Sequence, residues 1–165
     1  MAVELKSSSQ KTVKPIQLSY DEILEILPQR PPFIFVDHVN ELVEGKRVIA
    51  EKKFSLSELN QFSTFGDNHK GFSFVSETLI SESIGQVGII FFKASIGRLK
   101  ENLKILLTRI EITFKKQTRL GTQLLIEVAP VKITEEASIL YARGFLARET
   151  IVEGEMSLFA RPRTK

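Results

Sequence analysis

The sequence predicts a single α+β domain, a curved antiparallel sheet of about six strands wrapped round one long central helix. Three observations predict it. From Phe74 to Ala94 there is no proline, and Ile84, Val87, Gly88, Ile89, Ile90, Phe91 and Phe92 surround the element with apolar atoms. A helix that is hydrophobic all round is a buried helix, and the length of the run favours helix over strand. Behind it lie four segments of alternating apolar and polar residues, joined by short turns. In front lies one hairpin pattern.

The bulk properties agree with one globular domain. The chain has 165 residues, 42% of them hydrophobic and 26% charged, with a formal charge of +3. That is enough for one core. Residues 1–15 read as a flexible basic tail, with Lys6, Lys11 and Lys14 among Ser, Gln and Thr, and residues 16–165 as the domain. No basic stripe with interleaved aromatics is present, so no nucleic-acid partner is expected. There is no cysteine, which removes disulfides, zinc-thiolate sites and thiol nucleophiles. The N-terminus lacks a signal-peptide apolar run, and no stretch reaches the roughly 20 apolar residues of a membrane span. A soluble cytoplasmic protein with no membrane partner is the expectation.

The elements follow in order. Ser19 and Glu22 form a capping-box pattern, so a helix should run from Tyr20 to Leu27, ended by Pro28, Pro31 and Pro32. Phe33–Leu42 and Arg47–Phe54 read as a hairpin about Glu44-Gly45-Lys46. Residues 55–73 read as a long irregular loop with Gly66, Asp67, Asn68 and Gly71 as turn formers, and such loops are often functional. After the long helix, strands are expected at Lys104–Lys115, Thr122–Ile133, Ser138–Arg148 and Glu155–Arg161, with turns at Arg119–Gly121, Glu135–Glu136 and Val152–Gly154.

Within this frame the segment ILPQRPPFIFVDHVNELVEGKRVIAEKKFS resembles the opening of the 3-hydroxyacyl-(acyl-carrier-protein) dehydratases of the FabZ/FabA type. Their opening reads L-P-H-R-x-P-F-L-x-V-D-R-V, then a Gly-Lys turn and a second strand. SESIGQVG is similar to that family's E-A-x-A-Q-x-x-G, with Glu82 and Gln86 in register. RIEITFKKQTRLGTQLLIEVAPVKI and GEMSLFAR resemble its later strands. The match spans about residues 20–162 in order. The resemblance implies a hot-dog fold, a homodimer or a higher homo-oligomer of dimers, and an acyl tunnel at the dimer interface. It also implies an acyl-carrier-protein or coenzyme A thioester as partner, whose thioester arm belongs to the substrate, so no bound cofactor is expected; the sequence shows no metal-ligand cluster, so no metal is expected.

Dehydrating a 3-hydroxyacyl thioester needs a base for the C2 proton, an acid for the leaving hydroxyl and a donor to polarise the carbonyl. The resemblance implies His69 as base and Glu82 as acid. Asn68 and Gly71 in the loop, and Thr78 and Gln86 on the helix, are then the expected substrate-binding residues. Thr78, Glu82 and Gln86 stand at i, i+4 and i+8 and share one polar stripe. The loop departs from the family. NHKGFSFVSET stands where H-F-P-G-x-P-x-x-P-G-V is expected, without its prolines. Counting back from Glu82 places Asn68 opposite the family's histidine, and His69 fits only with one residue deleted. On sequence alone three readings stay open. They are a rearranged dehydratase dyad, a thioesterase in which Glu82 or Glu77 orients a water, and a non-catalytic acyl-binding or partner subunit. His38 stands where the family has Arg and is expected to be structural. Ser76, Ser81 and Ser83 read as helix packing rather than a triad. Arg98, Lys100, Lys104, Lys115, Lys116 and Arg119 are candidates for docking an acidic carrier protein or a phosphate.

Overall fold

A computed structural model of the chain describes residues 14–58 and 74–162. The tail, apart from Lys14 and Pro15, lies outside them, as do His69, Asn68 and Gly71. The chain runs β1 (Ile16–Leu18), α1 (Tyr20–Ile26), β2 (His38–Val43), β3 (Arg47–Lys53), α2 (Glu77–Ser95), β4 (Leu103–Phe114), β5 (Gln123–Ile133), β6 (Ala137–Leu146) and β7 (Glu149–Pro162). The strands form one antiparallel sheet in the order β1-β2-β3-β5-β6-β7-β4. This is the α+β sheet-round-helix architecture expected, with seven strands rather than six. The extra strand is β1, a three-residue segment too short to leave a period-2 pattern, which pairs with β2.

The long helix packs against β3, β4, β5, β6 and β7. Its second half, from Ser83 to Ala94, is buried on every side, which is why it carries no polar face there. Phe91 and Phe92 are fully covered, and each contributes roughly 1.5–3 kcal/mol on burial. Gly88 lets the helix approach the sheet. A Cβ there would lie 2.5 Å from Met156 Sδ on β7.

The capping box forms as expected. Ser19 Oγ accepts from Glu22 N–H, and Glu22 Oε2 accepts from Ser19 N–H at 2.8 Å. Ser76 caps the long helix by accepting from Thr78 N–H. The helix therefore starts at Glu77, three residues later than Phe74.

Two expectations about strands are corrected. Residues 33–37 lie outside any strand, although Ile34, Phe35 and Val36 are buried. Backbone groups of Phe33 and Phe35 pair with helix side chains. Phe35 N–H donates to Gln86 Oε1, while Phe33 O accepts from Gln86 Nε2 and Phe35 O from Ser83 Oγ, each at 2.8 Å. The ladder starts at Asp37 N–H, which donates to Glu51 O. The second correction concerns Val152–Gly154, which is not a turn. The last hairpin turns at Ala147–Arg148, with Ala147 at φ 55°, and β7 runs straight through Gly154. That glycine is needed because β4 passes very close. A Cβ on it would lie 2.1 Å from Glu111 O and 2.6 Å from Ile112 Cα.

Candidate functional site

Glu82 sits on the second turn of α2, half-buried, just before the helix becomes fully enclosed. Its Oε1 accepts from Gln86 Nε2 at 2.8 Å and, more loosely, from Gln29 Nε2 at 3.4 Å. No described residue bonds Oε2. The carboxylate thus has one oxygen held by two amide donors and one available for proton exchange.

Gln86 is the linchpin of this arrangement. It is fully buried and one turn after Glu82, so its amide reaches both the carboxylate and the chain at Phe33–Phe35. Flipping the amide would set carbonyl against carboxylate and N–H against N–H, so the contacts fix its orientation. Ser83 makes the third tie to the same segment. Sequence periodicity gave the stripe, and the structure shows why the stripe is polar inside an apolar helix. Gln86 of the stripe, with Ser83 beside it, satisfies backbone groups of the Phe33–Phe35 segment.

Gln29 is a site residue that the sequence reading missed. It follows α1, where Arg30 Nη1 donates to Leu27 O at 2.8 Å and to Gln29 O at 2.6 Å and so fixes the local backbone. Its Oε1 is buried without a hydrogen-bond partner. The available signal was its place in ILPQR, where the resembling family carries histidine.

Thr78 is exposed on the first turn, and no described hydrogen bond links its hydroxyl to Glu82. Glu77 is exposed in the same turn, where a negative charge complements the helix dipole. Ser81 Oγ donates to Glu77 O, so Ser76, Ser81 and Ser83 all have structural partners. His38 is half-buried on β2, opposite Glu51 of β3.

The basic residues do not form one patch on the chain. Lys104 and Lys115 stand at opposite ends of β4, roughly 35 Å apart along an extended strand. Most are engaged locally: Arg98 with Glu101, Lys100 with Glu25, Lys115 with Glu153, Lys116 with Glu149, and Arg119 over the Phe74 ring. Among the described residues no group of three His, Asp or Glu side chains converges to hold a metal, and no helix is long and apolar enough to cross a membrane.

The fold and site together define a hot-dog protein with a carboxylate on its central helix. Solved structures share the architecture. The dehydratase heterocomplex ApeI:P from Xenorhabdus doucetiae superposes with a TM-score of 0.69 at 13% identity, over 86% of this chain and 91% of that one. Protein smu.793 from Streptococcus mutans, bound to acetyl CoA, gives 0.61 at 15% identity over 84% and 98%. No protein-family model matches the chain. Curated relatives at higher identity do. The 3-hydroxyacyl-(acyl-carrier-protein) dehydratase FabZ of Bacillus cytotoxicus is 34% identical over 143 residues, 85% of this chain and 94% of the relative. That of Desulforamulus reducens is 31% identical over 142 residues, 84% and 94%. The chain belongs to the FabZ family.

Proposed function

We propose that this protein removes water from a 3-hydroxyacyl thioester carried on an acyl carrier protein, giving a trans-2-enoyl thioester, and that it works as a homodimer. Membership of the FabZ family supports the reaction class. The single structural observation that carries the site is the tethered Glu82 carboxylate, with Oε1 held by Gln86 and Gln29.

The chemistry follows from that tether. An oxygen accepting from two N–H donors has no room for a proton as well, so the acidic proton sits on Oε2. From there Glu82 donates it to the C3 hydroxyl, which leaves as water. His69 of the opposing subunit takes the C2 proton, and the electron pair of that C–H bond forms the C2–C3 double bond. Return of the proton from His69 to Glu82 resets the pair. The roles that the family resemblance implies for Asn68, Gly71 and Thr78 are in binding the thioester end. Gln86 acts through Glu82 and the Phe33–Phe35 segment rather than on substrate. The positive end of α2 favours negative charge developing on the thioester oxygen.

The open edge of β4 supports the dimer. Among the described residues this strand of twelve pairs only with β7, and it exposes Leu106 (36%) and Leu107 (45%). A long apolar edge is a template for pairing. A second copy adding its own β4 there continues the sheet and brings two central helices to one interface.

Purified protein given a 3-hydroxyacyl carrier protein tests the reading, with enoyl absorbance and free thiol followed together. Enoyl product should form, and Glu82→Gln and His69→Ala should each lower the rate by about 10²–10⁴-fold. Thiol release without enoyl product would make the protein a thioesterase. Neither product from an intact, ligand-binding dimer would make it a non-catalytic subunit. Either result overturns the proposal.

A further inference from the structure

A polar cavity lies away from Glu82, between the end of α1, the last turns of α2 and the segment leading into β4. Its volume is about 300 Å³. It is lined by Lys93, eleven residues beyond Glu82 and so about 16 Å along the helix axis.

Lys93 is 3% exposed. Its Nζ donates to Ile26 O at 2.8 Å, which caps one carbonyl at the end of α1 and uses one of three N–H bonds. No carboxylate pairs with it among the described residues. Burial holds its ammonium below the usual lysine range, against a smaller opposing pull from Glu101. Arg30 lines the same cavity and spends its described hydrogen bonds on two neutral acceptors, Leu27 O and Gln29 O. The acidic lining residues are already engaged. Glu25 pairs with Lys100 at 3.6 Å, and Glu101 with Arg98 at 3.9 Å. The cavity therefore presents two cations whose described hydrogen bonds all go to neutral carbonyls, one of them buried and drawn only from a distance by Glu101, beside the Asn102 amide. A buried charge without a partner is costly, and a bound anion removes that cost.

We propose that this cavity binds a small oxyanion, phosphate or carboxylate, clamped between Lys93 and Arg30. The volume suits such a ligand together with part of its hydration shell, since a water occupies about 30 Å³. The guanidinium offers paired donors to two oxygens, and the ammonium a point charge to a third. The dehydration chemistry does not use Lys93, and it involves Arg30 only through the backbone at Gln29.

Calorimetric titration of the full chain at low ionic strength in chloride buffer tests this, with inorganic phosphate in one arm and acetate in the other. Saturable binding of at least one anion, one per chain, is expected. Lys93→Met should abolish it, and Arg30→Gln should weaken it at least tenfold. Arg30 is exposed, so that variant keeps the test decisive if the buried Lys93→Met fails to fold. Lys104→Gln, a cation outside the cavity, should leave affinity unchanged. No saturable binding of either anion, or binding that survives Arg30→Gln, overturns the proposal. So does an equal loss in Lys104→Gln, because the attraction would then be diffuse surface charge.

Discussion

Buried charges in this protein are of two kinds, and they behave differently. Lys93 faces a cavity, whereas Lys52, 2% exposed, is enclosed by two carboxylates, Asp37 Oδ1 at 2.7 Å and Glu58 Oε1 at 2.5 Å. Burial alone pushes the Glu58 carboxyl up. The bonds from Lys52 and from the Ser55 N–H and hydroxyl pull it down further, so the net direction is below the ordinary carboxylate range. A carboxyl whose folded pKa lies below its unfolded one stabilises the fold above the unfolded value, near 4.3, and loses that contribution as pH falls through the folded value. Urea midpoints should therefore fall on acidification from about pH 5 to pH 3. Glu58→Gln should be less stable than wild type near neutrality and show a shallower acid limb. At this scale Glu82 and Gln86 were legible in the sequence, because two polar residues one turn apart stand out inside an apolar helix. Gln29 was not. It lies 53 positions from Glu82, and nothing local marks a loop glutamine that a distant carboxylate will meet.

The elements were read well where one physical rule decides them. The capping box fixed the start of α1, and the glycine-lysine turn joined β2 to β3. They were misread where tertiary contacts compete. The 33–37 segment has strand composition, yet Gln86 and Ser83 take its hydrogen bonds. Gly154 has turn composition, yet it lies mid-strand because β4 leaves no room for a Cβ. Gly154→Ala should therefore cost at least about 3 kcal/mol, because the neighbour is backbone and cannot rotate away. Thermal unfolding would measure it. Gly45→Ala, at a φ of 67° with open space around it, should cost only the strain of that backbone conformation, about 1 kcal/mol. Equal losses in the two variants would refute the close-approach account of Gly154.

For the whole molecule, the sheet has one weakly defended side. The β1 edge is three residues long, while the β4 edge is twelve and carries exposed leucines. If two β4 strands join in the dimer, Leu107→Lys should shift light-scattering mass from dimer toward monomer and leave the monomer's helix signal intact. An unchanged dimer mass would place the interface elsewhere. The same variant should lower dehydration, since the proposed site takes His69 and Glu82 from different subunits.

The sequence by itself determined the fold class, the long buried helix, its acidic residue and the family. Each is written in local periodicity or in a contiguous motif, and those survive in one dimension. The tertiary structure decided what holds Glu82, that β2 begins only at His38 while β7 runs through 152–154, and that Lys93 and Arg30 share a cavity. Those outcomes depend on which distant groups compete for the same hydrogen bonds and the same space. No pattern along the chain records that competition.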